Sequence, residues 1–264
     1  MIVFSALVSH TPLLAKSIGK ERRDALAATL KSFQALEEEL YLARPETIVI
    51  MSPHAQSYPD AFSANIAPKY VGNLKTFGDH ETLFEAKGDF LVIDHLQRGL
   101  RHKYNIPFTL TSAEDIDYGM TIPLLLLTEK LKDWKLIPLA PSRLDAQAHV
   151  EFGKALRQIL NMESKRIAFL VSTDLSHKLN EQSPGGSSVE GPAFDATVRT
   201  KMQSLDVEGM LALDPQALEA AGQNAYLPLM TLLGFLSELN VTPRELSYEA
   251  PFGVGCLMMK FEMA

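Results

Sequence analysis

Apolar positions along this chain fall into two kinds of run. Short, nearly unbroken runs rich in Val, Ile and Phe occupy residues 2–9 and 46–51, with others near 135–139, 166–172, 244–249 and 255–262. Unbroken apolarity over about four to eight residues predicts strands covered on both faces. Between the first two runs, residues 20–43 place Leu26, Leu30, Phe33, Leu36 and Leu40 at helical spacing, with Glu and Lys interleaved. Further helices are predicted near 89–103, 120–132, 145–160, 192–204 and 225–239. Strands alternating with helices of this length predict an α/β fold, a single domain over residues 1–264 with a central, mostly covered β-sheet flanked by helices. The most loop-like stretch, KLNEQSPGGSSVEGP at 178–192, reads as a functional loop of the lid type within that domain.

Composition narrows the partners. With 46% hydrophobic and 22% charged residues, the chain has the balance of a water-soluble globular protein. Its formal charge of −7, with both signs interspersed, offers no basic stripe for nucleic acid. The apolar N-terminus lacks the basic flank of a signal peptide, and no run is long enough to cross a bilayer, so a cytoplasmic location is expected. A single cysteine, Cys256, builds neither a disulfide nor a thiolate zinc cluster within the chain, and it reads as a buried, inert side chain.

The seven histidines separate by context. His80, His95, His102 and His149 stand among polar residues and read as surface or helix positions. His10 ends VFSALVS, His54 follows IVIMSP, and His177 follows IAFLVSTDLS; each lies just beyond an apolar strand. Loops past the carboxyl ends of strands line the ligand crevice of open α/β sheets. Either each histidine caps its own strand, or the three converge at one edge. Two histidines and one carboxylate make an open face suited to Fe(II). Glu249, in LSYEAPFGVGC, is the best-placed carboxylate; a salt bridge to Lys or Arg is the alternative account of it. Asp174 either orients an imidazole or caps the turn after its strand.

In order along the chain, SHTPLL, MSPHAQSYPDAF, DYGMTIPLLLL, LVSTDLSH, LDPQALEAAGQNAYLPLMTLLGFL and SYEAPFGVGC cover nearly its whole length. In this order and spacing the chain resembles the class III extradiol ring-cleavage dioxygenase superfamily, the catalytic-subunit type related to protocatechuate 4,5-dioxygenase. It looks closest to the stand-alone bacterial branch related to Memo-like proteins. The resemblance implies His10, His54 and Glu249 as metal ligands, with Fe(II) the expected occupant and Zn(II) or Mn(II) the alternatives. It implies His177 as the acid/base residue, with Tyr118 and Asp174 assisting, acting on a catechol-like or aminophenol-like ring and O2. A homodimer or higher homo-oligomer is expected by frequency, and some family members need a small accessory subunit.

Two departures bear on the chemistry. Many ring-cleaving members carry Asp-His-Gly where this chain has Asp117, Tyr118 and Gly119; a phenol replaces the hydrogen bond but not the proton chemistry of an imidazole near neutral pH. Gly222-Gln223-Asn224-Ala225 stands where a Glu-Cys-Gly-type segment is common. The competing expectations are a Memo-like metal-binding protein with a redox or partner-binding role and no ring cleavage, and a zinc hydrolase using the same ligands. Memo proteins carry a cysteine at the third-ligand position, where this chain has Glu249.

Overall fold

The computed structural model describes residues 1–263. From the N-terminus, β1 (Ile2–Val8) leads through a short α1 (Lys16–Gly19) and a tighter helical stretch over 20–26 into α2 (Ala27–Ala43) and then β2 (Thr47–Met51). An outer region follows, with β3 (Phe62–Asn65), β4 (Lys69–Leu74), β5 (Asp79–Gly88), α3 (Phe90–Arg98), β6 (Phe108–Thr111) and β7 (Asp115–Ile116). The alternation resumes with α4 (Tyr118–Leu127), β8 (Lys135–Ala140), α5 (Ala146–Asn161) and β9 (Ile167–Ser172). After α6 (Glu190–Ser204), α7 (Val207–Leu211), α8 (Pro215–Ala220) and α9 (Tyr226–Leu236), the hairpin β10 (Val241–Glu249) and β11 (Cys256–Met263) completes the fold.

One sheet of 11 strands runs through it in the order β10-β11-β1-β9-β2-β8-β5-β4-β7, with β3 pairing both β8 and β6. β1, β9, β2 and β8 are mutually parallel, and the β10–β11 hairpin adds antiparallel to β1. The unbroken apolar runs have a direct cause in this arrangement. In β9, Ile167, Phe169 and Val171 enter the core formed with α5 and α9, whereas Ala168 and Leu170 face the opposite core, formed with α2 and α4. β2 divides the same way, Val49 and Met51 against Ile48 and Ile50. With both faces covered, nearly every position along these strands is apolar, and the exceptions, Ser5, Thr47 and Ser172, are themselves buried. Phe169 stacks against Phe235 of α9 at 4.1 Å between ring centroids. On that side, glycines let two helices touch: a Cβ on Gly153 of α5 or Gly234 of α9 would run into the other helix's backbone.

The α/β class and the central sheet flanked by helices are as the sequence predicts. The outer strands β3 to β7 and the short helices α7 and α8 were not anticipated. The helix expected over 120–132 starts at Tyr118 and ends at Leu127, because Asp117 caps it by accepting the Met120 N–H. The stretch 178–189 is loop, and α6 begins at Glu190. Cys256 is buried, 2% exposed.

His149 corrects the surface reading given to four histidines; His80, His95 and His102 are exposed, but His149 has no exposed surface. It lies on the inner face of α5, edge-on to the Phe62 ring at 4.8 Å, with Nδ1 bonded to the Asp145 carbonyl at 2.8 Å and Nε2 left without a partner. Burial holds its pKa below the usual histidine value. Between that depressed value and the unfolded one near ~6.5, only the unfolded chain takes up this proton, so stability falls as pH drops below that point. The pH-dependence of the urea midpoint of unfolding, measured between pH ~7.5 and ~5 for the protein and a His149→Leu variant, checks this. The variant is expected to lose up to about 1.4 kcal/mol per pH unit of slope, the contribution of one proton; equal slopes would show that His149 does not titrate in this way.

Candidate metal centre

The parallel strands β1, β9 and β2 are neighbours in the sheet and end at one edge, so the segments that follow them meet. His10 lies two residues past β1 and His54 three past β2. Their Nε2 atoms are 3.1 Å apart and the rings stand edge to face, 4.8 Å between centroids. His10 is 1% exposed and held from several sides. Its backbone N–H donates to Asp174 Oδ1 at 3.1 Å, and the Ser9 hydroxyl donates to the same oxygen. Its Nδ1 meets Ser172 Oγ at 3.0 Å, and the Ser172 hydroxyl in turn donates to the Gly119 carbonyl. His54 is fixed through its backbone N–H on Ser52 Oγ, whose hydroxyl donates to Asp117 Oδ1 at 2.7 Å.

The turn after β9 brings Asp174 to this pair, with Oδ2 at 3.9 Å from His10 Nε2. Tyr118, at the first turn of α4, places its hydroxyl 2.7 Å from His54 Nε2. Asn224 approaches the same nitrogen with Nδ2 at 3.4 Å, its Oδ1 held by the Thr173 hydroxyl at 3.1 Å. His177 closes the turn, its N–H on the Gly222 carbonyl and its own carbonyl accepting from Gly185 N–H, and it is near enough to His54 for its charge to act there. Glu249 ends β10 opposite Cys256 and is half-buried. Its Oε1 accepts the Thr29 N–H at 2.7 Å near the start of α2, so its partner is a helix N-terminal amide rather than a Lys or Arg. His10 thus touches His54, Tyr118 and Asp174, with His177 near His54 and the Glu249 carboxylate directed to α2. Among the described residues, no three His, Cys, Asp or Glu side chains already stand in metal-holding geometry.

Burial, reinforced by the neighbouring His10, pushes the His54 pKa down to about 4, so its ring is uncharged at neutral pH. Burial, with Asp174 and Asp117 adding to it, pushes Tyr118 up to about 12, so its hydroxyl keeps its proton. Burial also raises Asp117, whose Oδ2 has no partner. The site therefore presents an unprotonated His54 nitrogen beside a protonated Tyr118 hydroxyl. Two imidazole nitrogens about 2.1 Å from one metal, at roughly a right angle, stand ~3.0 Å apart. The His10–His54 separation has that value, so the donor set fits a divalent metal.

Sequence reasoning missed Ser172 and Asn224 as parts of the site. Ser172 has no signal beyond ending a strand next to the Asp174 turn, and Asn224 only that its segment departs from the family pattern. A cleft of about 450 Å³ passes Pro53 and Asn224 and carries the Arg143 side chain. Another, of about 270 Å³, is walled by His54, Asp117 and Met120. A wider hollow, about 820 Å³ between residues 17–22 and 77–81, approaches the histidines through Phe77, whose ring stands edge-on to Tyr118 at 5.0 Å.

Residues 5–259 match the family described as the catalytic LigB subunit of aromatic ring-opening dioxygenase, and the chain belongs to that family. Among curated relatives, Protein CA_C1420 of Clostridium acetobutylicum is 25% identical over 265 residues, covering 97% of this chain and 56% of the relative. The 2,3-dihydroxyphenylpropionate/2,3-dihydroxicinnamic acid 1,2-dioxygenase of Photorhabdus laumondii is 26% identical over 187 residues, 67% of this chain and 56% of that enzyme. The chain spans about half the length of these two relatives. The crystal structure of the uncharacterized protein JW3007 from Escherichia coli K12 superposes with a TM-score of 0.61 at 18% identity, over 86% of this chain and 91% of that one, and shares the fold. No helix among the described residues is long and apolar enough to cross a membrane.

Proposed function

We propose that the chain is an Fe(II)-dependent extradiol-type dioxygenase that opens a catechol-like or aminophenol-like ring with O2. His10, His54 and Glu249 would hold the metal, and His177 would act as acid and base. The observation that carries this reading is the pair of imidazoles with Nε2 atoms 3.1 Å apart, at the edge where three parallel strands end. Membership of a ring-opening dioxygenase family supports the reaction class. The relative from Photorhabdus, named for a dihydroxylated aromatic acid, supports the substrate class.

In this reading His10, His54 and Glu249 would hold a divalent metal, which would supply Lewis acidity towards the substrate hydroxyls. The chain's own residues do the rest. Tyr118 and Asn224 line the approach to His54 with hydrogen-bond groups, and Tyr118 remains a donor throughout the neutral range. Asp174 keeps His10 in place through its backbone N–H. His177 takes a proton from the substrate hydroxyl and later returns one to the opening ring.

The test is anaerobic purification, reconstitution with Fe(II), and oxygen uptake against a panel of catechols and aminophenols. Iron-dependent uptake with at least one is expected; none with any of them rejects the reaction. Tyr118 favours a second reading, a Memo-like metal-binding protein without ring cleavage. Its hydroxyl sits on His54 Nε2, where many ring-cleaving members of the superfamily supply an imidazole. Stoichiometric metal without oxygen uptake would select that reading.

A further inference from the structure

Pro123 lies inside α4. Proline has no N–H, so the carbonyl four residues earlier loses its helical donor. That carbonyl belongs to Gly119, which is buried, and the hydroxyl that reaches it is Ser172's. A serine hydroxyl has one proton to give. Spent on Gly119, it leaves the Ser172 oxygen able only to accept, and the atom facing it is His10 Nδ1 at 3.0 Å. The opposite direction, Ser172 donating to His10, would strip the buried Gly119 carbonyl of this donor, and a buried acceptor left unpaired is destabilising. Gly119 also has to be glycine for the contact to form, because a Cβ there would come within 3.1 Å of His10 Nδ1 and closer still to Asp117 Oδ1 and Ser52 Oγ.

We infer that Pro123, Gly119 and Ser172 form a relay that fixes His10 as its Nδ1–H tautomer and turns its Nε2 lone pair towards His54. Pro123 and Ser172 are positioning residues, acting on the metal centre through His10. The relay itself does not depend on the reaction proposed above; only its effect on metal affinity rests on His10 being a ligand. It accounts for a proline well inside a helix, where the ring ordinarily costs ~3 kcal/mol, since the orphaned carbonyl is put to use at the site.

Heteronuclear NMR of the metal-free, full-length protein with isotopically labelled histidine tests it directly. The His10 ring, assigned by its absence from the His10→Gln spectrum, is expected to carry its proton on Nδ1. Ser172→Ala is expected to move that proton to Nε2 and to weaken Zn(II) binding by ~10–100-fold, the usual effect of losing an indirect partner. Pro123→Ala returns a helical donor to Gly119 and is expected to shift both readouts the same way, by less. An Nε2–H ring in the wild-type protein, or an unchanged tautomer in Ser172→Ala, overturns the relay. Should Ser172→Ala fail to fold, the wild-type spectrum and Pro123→Ala decide. An Nδ1–H ring in a wild-type protein that binds no Zn(II) supports the relay and rejects the metal centre instead.

Discussion

Replacing His10 by Ala is expected to weaken Fe(II) or Zn(II) binding by more than about 100-fold, since residues that merely support a ligand already cost 10–100-fold when removed. The hypothesis behind this number is that His10 contacts the metal, motivated by its Nε2 standing 3.1 Å from that of His54. His10 is fully enclosed, and loss of its ring also strips Ser172 of its Nδ1 contact and Asp174 of its Nε2 neighbour. Metal content by elemental analysis and a chelator-competition titration must therefore be read beside a thermal melt of the metal-free variant. Loss of metal with a preserved melt is the expected result. Full metal content in both His10→Ala and Glu249→Ala refutes the ligand set as a whole. Retention in Glu249→Ala alone would assign the carboxylate role elsewhere, and Asp174, with Oδ2 at 3.9 Å from His10 Nε2, is the nearest acidic side chain to take it.

The positions of His10, His54 and His177 past strand ends were legible because the strands themselves were. β1, β2 and β9 are apolar at nearly every residue, and their ends are marked by polar residues and, after β1 and β2, a nearby proline. β5 was not legible for the opposite reason. Its inward positions include Ala86 and Gly88, too small to mark a hydrophobic period, while Glu81, Glu85 and Lys87 dominate its composition. His149 was legible in principle: with Phe152, Gly153, Leu156 and Leu160 it lies on one helical stripe, but the polar neighbours Gln147 and Glu151 obscured it.

The hydrogen-bond relay behind His10 is a different case. Gly119 and Ser172 are 53 positions apart and pair only because α4 packs its first turn over the end of β9. A proline in a helix announces a free carbonyl, but only the fold says which side chain fills it. Likewise Asn224 reaches His54 because Gln223 pairs with Ser176 in an isolated bridge, tying its segment to the Asp174–His177 turn. Sequence spacing carries the strand ends; it does not carry contacts made by crossing segments.

That bridge also makes His177 the sharpest test of the proposed chemistry. His177→Asn is expected to lower kcat by about 10²–10⁴-fold, the usual contribution of a positioned acid or base, while metal content stays at the wild-type level. The backbone of the turn is pinned independently of the imidazole. The His177 N–H and carbonyl are bonded to Gly222 and Gly185, and the Ser176 N–H donates to the buried Asp195 carboxylate at 2.9 Å. A shorter polar side chain should therefore leave the loop in place, so that a lost rate reports lost proton transfer. The measurement is oxygen uptake under saturating catechol across pH, with metal analysis on the same samples. An undiminished kcat would remove His177 from the mechanism. Parallel loss of metal would instead make it part of the metal site, leaving proton transfer to solvent.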